Sequence, residues 1–414
     1  MRSETSENSH TIFPVYLAFL LDSFGLAVVY PLLTPLFLRP EDAIFLTGHP
    51  LGVRTALLGL TIGAFPLAQL FGTPMIGELS DRIGRKRSFI ATIGGTSFGY
   101  FLTALGILLP SLPLLIVGRL WTGFFAGNLT LCLAAIADAS PDMPSRIRTF
   151  GRLASLGGVS FILGILIGAS LVGGVSSYGI NPSLPFWLMA FFSLINLLLI
   201  YLLYYDPFSK AELGPLHVGQ GLKNIASVFK EQQLRNIYLV YFFFMVCWVT
   251  SMQFVSTFLI QIYNASTLVL ECSLIGVGLI WTLTNGFLTN QLSHRWKTSQ
   301  VLLVSLPSLS LLLLLSSLAP SIWVFLSIFA VCVLCSALAW THCLGAVSLL
   351  AEKRIQGRIL GINQSIGALA SMCGPVIGGL LASFGTHWIY LFTSLCSFIA
   401  FCLLTIEYIN KKIS

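Results

Sequence analysis

The chain has 414 residues, of which 56% are hydrophobic and 9% charged, and its mean hydropathy is +0.89. That composition excludes a soluble globular protein. The formal net charge is +7, from 22 Lys and Arg against 15 Asp and Glu, and the positions of those cations decide what the excess means.

A membrane helix needs roughly 20 mostly apolar residues to cross about 30 Å of hydrocarbon. Twelve segments meet that requirement: 11–38, 53–76, 88–109, 113–136, 150–174 and 183–205, then 237–263, 271–292, 298–318, 321–350, 357–384 and 386–408. The tenth is long enough to tilt or to run past the membrane. Alternating-strand patterns are absent, which excludes a β-barrel. The fold class is therefore all-α and polytopic. With both termini placed in the cytoplasm, all but three of the 22 Lys and Arg fall on that side; Arg39 and Arg54 lie outside and Arg119 lies within a helix. The split satisfies the positive-inside rule. The basic excess thus sets topology, and no nucleic-acid partner is expected. The opening MRSETSENSH leads into the first helix with no small-residue cleavage site, so it is not expected to be a removable signal peptide.

In the first segment, Asp22 lies about ten residues deep, where a carboxylate costs about 2.5–3.5 kcal/mol on insertion scales unless protonated, hydrated or paired. A group whose protonation follows its exposure suits a proton-coupled carrier; a carboxyl that only ties helices together is the alternative. Between the second and third segments, Gly77 to Arg87 packs Glu78, Asp81, Arg82, Arg85, Lys86 and Arg87 into one short polar hairpin. Gly77 and Gly84 allow close helix contact and a tight turn there. The fourth segment carries Arg119, followed by Gly123 and Asn128, and Asp138 opens a loop that continues through Arg146, Arg148 and Gly151. Residues 206–236 are polar and rich in Gly and Lys, a cytoplasmic linker between an N-terminal half (1–205) and a C-terminal half (237–414). Gln69, Asn128, Gln253, Asn285, Trp340, His342, Asn363 and Gln364 are candidates to line a substrate cavity, each a hydrogen-bonding or aromatic group in an apolar helix. Each would serve equally as interhelical glue. Trp248, Trp281 and Tyr263 are further candidates to line the site. The nine cysteines fall almost entirely in predicted helices; Cys332 and Cys335 form a lone C-x-x-C read as packing, so no disulfide framework or metal site is expected.

These motifs carry a family resemblance. Gly77 to Arg87 resembles the loop 2–3 signature of the major facilitator superfamily, G-x-L-x-D-R-x-G-R-K-x. Leu21 to Pro35, L-D-S-F-G-L-A-V-V-Y-P-L-L-T-P, resembles the first helix of its tetracycline-efflux and drug:proton antiporter branch. Arg119 with Gly123 resembles the fourth-helix R-x-x-x-G, and Ala137-Asp138 through Gly151 resembles the loop 4–5 segment. The resemblance implies 12 helices in two pseudo-symmetric six-helix halves, with the substrate site near mid-membrane where the halves meet. It assigns proton coupling to Asp22 and Arg119, and a cytoplasmic gate to Gly77, Asp81, Arg82, Gly84, Arg85 and Asp138. Helix five departs from the branch pattern: G-P-x-x-G-G is missing there, and Gly374-Pro375-Val376-Ile377-Gly378-Gly379 stands in helix eleven instead. Gly123, Gly374, Pro375 and Gly378 are read as helix-packing residues.

The expected function is proton-coupled secondary transport of a small organic molecule by alternating access, in the direction of export. Import by a proton symporter is the alternative, kept open by the missing proline of helix five. A non-transporting receptor or scaffold is the third reading. No enzyme is expected, since no nucleophile–base pair or phosphate-cradling loop is visible. No cofactor is expected beyond protons as coupling ion. The partners expected are the cargo and the bilayer of a bacterial inner membrane, with the chain working as a monomer.

Overall fold

The computed structural model describes residues 2–38, 43–45, 47–129, 131, 132, 135, 156–167, 181–205, 223, 235–349 and 356–413. Every regular element among them is helical. In chain order the helices are α1 (Arg2–Leu38), α2 (Leu51–Ile83), α3 (Arg85–Leu108), α4 (Leu112–Phe125), α5 (Leu156–Ile167) and α6 (Leu184–Leu203). They continue as α7 (Arg235–Gln253), α8 (Thr267–Leu283), α9 (Thr298–Ser317), α10 (Ile322–Leu349), α11 (Gln356–Phe384) and α12 (His387–Ile413). Ten of them contain a stretch long and apolar enough to cross a membrane, and α4 and α5 are shorter apolar helices. Each of the twelve predicted segments therefore carries helix, and the protein is a multi-pass integral membrane protein.

Three predicted continuous helices are interrupted. α4 stops at Phe125, and helical backbone resumes at Asn128. The interruption is Ala126-Gly127, where Gly127 lies against Ile76 of α2 so closely that an added Cβ would sit 2.9 Å from its side chain. α7 breaks at Phe254 and continues as a short helix, Val255–Tyr263. α8 runs into a π-helical turn, Thr284–Leu288, followed by Thr289–Arg295; the Thr289 hydroxyl donates to the Thr284 carbonyl at 3.0 Å. Apolar composition hides all three, because a segment greasy on every side has no periodicity to lose.

The chain forms two compact units: Met1–Leu36 with Glu41–Phe45 and Ala64–Gly221, and Phe37–Pro40 with Leu46–Gly63 and Leu222–Ser414. In the first, α3 packs on both α4 and α6. In a bilayer, helices associate through close backbone approach and hydrogen bonds, since lipid is as apolar as Leu. Gly99 and Gly118 provide that approach between α3 and α4: a Cβ on Gly118 would meet the Thr103 nitrogen at 2.6 Å, and one on Gly99 the Thr122 nitrogen at 2.7 Å. The Ser97 hydroxyl donates across to the Ala190 carbonyl of α6 at 2.9 Å.

In the second unit, α9 and α12 are joined by a reciprocal pair. Ser310 donates to the Ser394 carbonyl at 2.9 Å, and Ser394 to the Ser310 carbonyl at 2.7 Å. Such bonds contribute about 0.6 kcal/mol each in membranes. Phe258, Phe325 and Tyr390 form a buried aromatic core, with ring centroids 4.8–5.5 Å apart. Gly374 and Gly378 of α11 receive the broken stretch of α7, since their Cβ atoms would lie 2.6 Å from the Thr250 hydroxyl and the Phe254 ring. The first turns of α2 belong to this unit too, with Gly59 against the Pro375 carbonyl and Gly379 of α11.

Gly118→Val is expected to lower the thermal midpoint of the purified protein, by an overpacking cost of about 1–3 kcal/mol. Gly94→Ala, whose Cβ would meet, among the described residues, only Leu197 at 3.7 Å, is expected to leave it unchanged. An unshifted midpoint for Gly118→Val would remove the close α3–α4 contact.

Candidate functional site

Asp22 lies half-buried on α1, and its Oδ1 accepts a hydrogen bond from Nδ2 of Asn128 at 3.0 Å. Asn128 is fully buried, and the α4 interruption is what places it. The break leaves the Ala126 carbonyl in need of a donor, and Nε2 of Gln69 on α2 supplies one at 3.1 Å. Gln69, expected to line a cavity, therefore has its amide nitrogen engaged by backbone. Nearby, the Cys132 thiol donates to the Val15 carbonyl at 3.3 Å, a further tie between the resumed helix and α1.

Arg119 is buried on α4, with its guanidinium carbon 4.8 Å from the centre of the Phe65 ring on α2. A guanidinium over an aromatic face gains about 2 kcal/mol when desolvated. Gly123, one turn later, admits the backbone of Phe65. Asp22 and Arg119 both act electrostatically on one buried residue, Tyr100 of α3. The Tyr100 hydroxyl presses on Gly25, less than one turn beyond Asp22 on α1. Tyr100 was not among the residues expected from sequence. It follows Gly99 on a small, polar face with Thr92, Thr96 and Thr103, but nothing in that pattern shows which way its hydroxyl points.

The first unit thus gathers a carboxyl, a carboxamide, a phenol and a guanidinium from α1, the end of α4, α3 and α4. A carboxyl held by one fixed donor keeps its position whether or not it carries a proton, because the Asn128 amide donates to either form.

The hairpin between α2 and α3 is partly described. Gly84 has φ of 90°, a left-handed conformation that glycine adopts without strain, and it separates the two helices. Arg85 is buried and donates to the Ser80 hydroxyl. Arg82 lies half-buried in the last turn of α2, and Lys86 sits 5.7 Å from the Tyr201 ring of α6. Among the described residues Gly77 makes no close helix contact: a Cβ there would meet none of them within 4 Å. Asp81 lies in the last turn of α2, with its side chain outside the described residues, as is that of Gln364; Asp138 lies wholly outside them.

In the second unit, Gln253 ends α7 at the Phe254 break, buried, with Oε1 accepting from no described group. His342 is buried on α10; its Nδ1 lies 2.8 Å from the Leu338 carbonyl, and Nε2 has no partner among the described residues. Asn285, Trp340 and Asn363 come from α8, α10 and α11. Trp281 of α8 joins the rings of Trp248 and Trp340, with centroids 4.8 and 5.9 Å away. Tyr263 is turned to the helix end instead, donating to the Ala319 carbonyl at 2.8 Å. Among the described residues no group of three His, Cys, Asp or Glu is placed to hold a metal ion.

The profile of the Major Facilitator Superfamily matches residues 13–318 and 279–413. The class H tetracycline resistance protein of Pasteurella multocida is 23% identical over 382 residues, covering 91% of this chain and 90% of its own length. The crystal structure of the human organic anion transporter MFSD10 (TETRAN) matches with a TM-score of 0.68 at 22% identity, over 96% of this chain and 99% of that one. A D-xylose-proton symporter matches with a TM-score of 0.67 at 16% identity, over 94% and 96%.

The Gly25–Tyr100 contact is open to a double-mutant test. Gly25→Ala is expected to lower the thermal midpoint by a cost of about 1–3 kcal/mol. Tyr100→Phe in that background is expected to recover part of the loss, because the hydroxyl is the atom nearest the added methyl. Strictly additive effects of the two changes would mean that they do not touch.

Proposed function

The chain belongs to the major facilitator superfamily of membrane transporters, and we propose that within it this protein exports a small organic molecule in exchange for protons. Its fold is that of the family, 12 transmembrane helices in two pseudo-symmetric six-helix halves, and it is not an enzyme. The observation that carries the proposal is the Asp22–Asn128 hydrogen bond beside Tyr100 and Arg119. The interhelical bond that the carboxyl accepts contributes about 0.6 kcal/mol, less than its insertion cost of about 2.5–3.5 kcal/mol. A carrier does gain from one, because a group that takes up a proton on one side and releases it on the other converts the proton gradient into a conformational bias. Each proton entering down about 100 mV supplies roughly 2.3 kcal/mol, enough for an approximately 40-fold gradient of cargo.

In this reading, protonation of Asp22 weakens its hold on the electrostatic field of Arg119 and lets the two halves rock. The charged hairpin from Gly77 to Arg87 acts as the cytoplasmic gate of that motion, together with Asp138. The relatedness to tetracycline resistance proteins over nine-tenths of the chain supports export and an organic cargo. Both termini lie in the cytoplasm of a bacterium, by the distribution of Lys and Arg, and the chain works as a monomer. Import in symport with protons is favoured by one feature, the missing proline of the fifth-helix pattern.

The test is substrate-triggered proton release in energised inside-out vesicles, with a panel of tetracyclines, dyes, chelators and amino acids. The wild type is expected to respond to one class. Asp22→Asn is expected to abolish the response at normal membrane insertion, and Asn128→Ala to weaken it. Cargo uptake into right-side-out vesicles under an inward proton gradient, with no response in inverted ones, would replace export by symport. An undiminished response in Asp22→Asn would remove Asp22 from coupling.

A further inference from the structure

One side of the second unit is incompletely filled. α8 and α10 pack together, yet a cavity of about 370 Å³ remains against them. Its lining includes Leu268, Cys272, Gly276 and Ile280 of α8 and Trp323 and Phe329 of α10. From Leu268 to Ile280 it runs about 18 Å along α8 by the 1.5 Å rise. Leu268 and Trp323, both exposed, stand in the first turns of their helices. One membrane-crossing helix, α9, separates α8 from α10, so the two run in the same direction and start at the same membrane face. The cavity therefore begins at that face and ends near mid-membrane. By the distribution of Lys and Arg the face is the outer one.

The space is held open from both helices. Phe329 stacks on Phe325 at 10° with centroids 5.5 Å apart, and Phe325 belongs to the buried aromatic core with Phe258 and Tyr390. Across from it, a Cβ on Gly276 would meet none of the described residues within 4 Å. The wall offers little to a polar guest. The Ser273 hydroxyl is engaged within α8, donating to the Leu270 carbonyl at 2.7 Å. Glu271 is the only Asp, Glu, Lys or Arg on either helix. It does not line the cavity, but it lies about 6 Å from the start of α8, at head-group level.

We propose that the cavity seats one acyl chain of a phospholipid from the outer leaflet, with a preference for a zwitterionic head group that carries an amine. The length agrees: a chain reaching from the interface to the midplane spans half of the roughly 30 Å core, about 15 Å. The charge agrees as well, because the rim carries a carboxylate and no Lys or Arg, which complements an ammonium and disfavours a purely anionic head group. A chain moving from bilayer to cavity gains nothing by leaving water, since lipid is as apolar as Leu. What it gains is contact, which a gap between helices forfeits on every atom that lines it. The seat is independent of the direction of transport and of Asp22.

The test is native mass spectrometry of the full-length protein, counting phospholipids retained after transfer from detergent. The probes are dioleoyl phosphatidylethanolamine, dioleoyl phosphatidylglycerol and dihexanoyl phosphatidylethanolamine. The wild type is expected to retain one dioleoyl phosphatidylethanolamine and to release the dihexanoyl form. Its preference over phosphatidylglycerol is expected to be about threefold, the size of a screened surface charge pair. Gly276→Phe, which fills the cavity from α8, is expected to lower retention about tenfold or more. Leu283→Phe, at an exposed position of α8 beyond the cavity, is expected to keep it within about twofold. Glu271→Gln is expected to keep the lipid and lose the head-group preference. Gly276→Leu serves if Gly276→Phe does not fold. No retained phospholipid, undiminished retention in the filled variant, or equal retention of the dihexanoyl form would overturn the seat. A preference that survives Glu271→Gln would overturn the amine assignment. A dimer lost in Gly276→Phe would make the cavity a contact between copies of this chain, and so replace the lipid.

Discussion

A carboxylate in the middle of a membrane helix has to be given a donor by the protein, because hydrocarbon offers none. Here the donor is Asn128, and much of the first unit's irregularity follows from delivering it to Asp22. A straight α4 would end its hydrogen bonding differently. The interruption at Ala126-Gly127 resets the backbone just before Asn128, and the carbonyl it frees at Ala126 must itself be satisfied. Gln69 does that from α2, and Gly127 lets α2 come near enough. One intramembrane ionisable group thus recruits a helix break, a capping amide and a glycine from two other segments.

The close approach of helices serves the same end. Tyr100 reaches Gly25 on α1 only because α1 carries no side chain at that point, and Arg119 lies over Phe65 only because Gly123 admits the backbone of that residue. Glycine is unfavourable in a helix by about 1 kcal/mol relative to alanine. In a bilayer that penalty is offset where the glycine allows backbones to touch, and here the touching backbones are those that carry the charged and polar groups. Packing and chemistry are one arrangement in this unit.

The gross architecture was legible in the sequence, because a helix that must span about 30 Å of hydrocarbon announces itself by length and apolarity alone. Asp22 and Arg119 were legible for the converse reason: an ionisable residue in such a stretch stands out against its neighbours. Tyr100 was not, since a tyrosine in an apolar helix looks like any packing aromatic until a second helix shows which way its hydroxyl faces. The breaks at Ala126 and Phe254 and the π-turn at Thr284 were equally silent. They are set by contacts with Ile76, Gly378 and the Thr289 hydroxyl, residues distant in the chain or of ordinary type. Gln69 shows the limit most plainly, because whether an intramembrane amide faces a cavity or caps a carbonyl depends on a helix break that composition does not record.

The two units distribute their polar chemistry differently. The first holds a carboxyl, a guanidinium and a phenol close together, groups whose interaction changes with protonation. The second carries the stacked indoles of Trp248 and Trp281, with Trp340 tilted against Trp281. The two kinds of group make different demands on a membrane interior: an ionisable group needs a donor or a partner charge, whereas stacked indoles need only shape and contact. The first demand is met by Asn128, which takes a helix break to deliver, and the second by ring contacts between regular helices. Irregular backbone therefore follows the charge in the first unit, because hydrocarbon supplies no substitute for a missing donor.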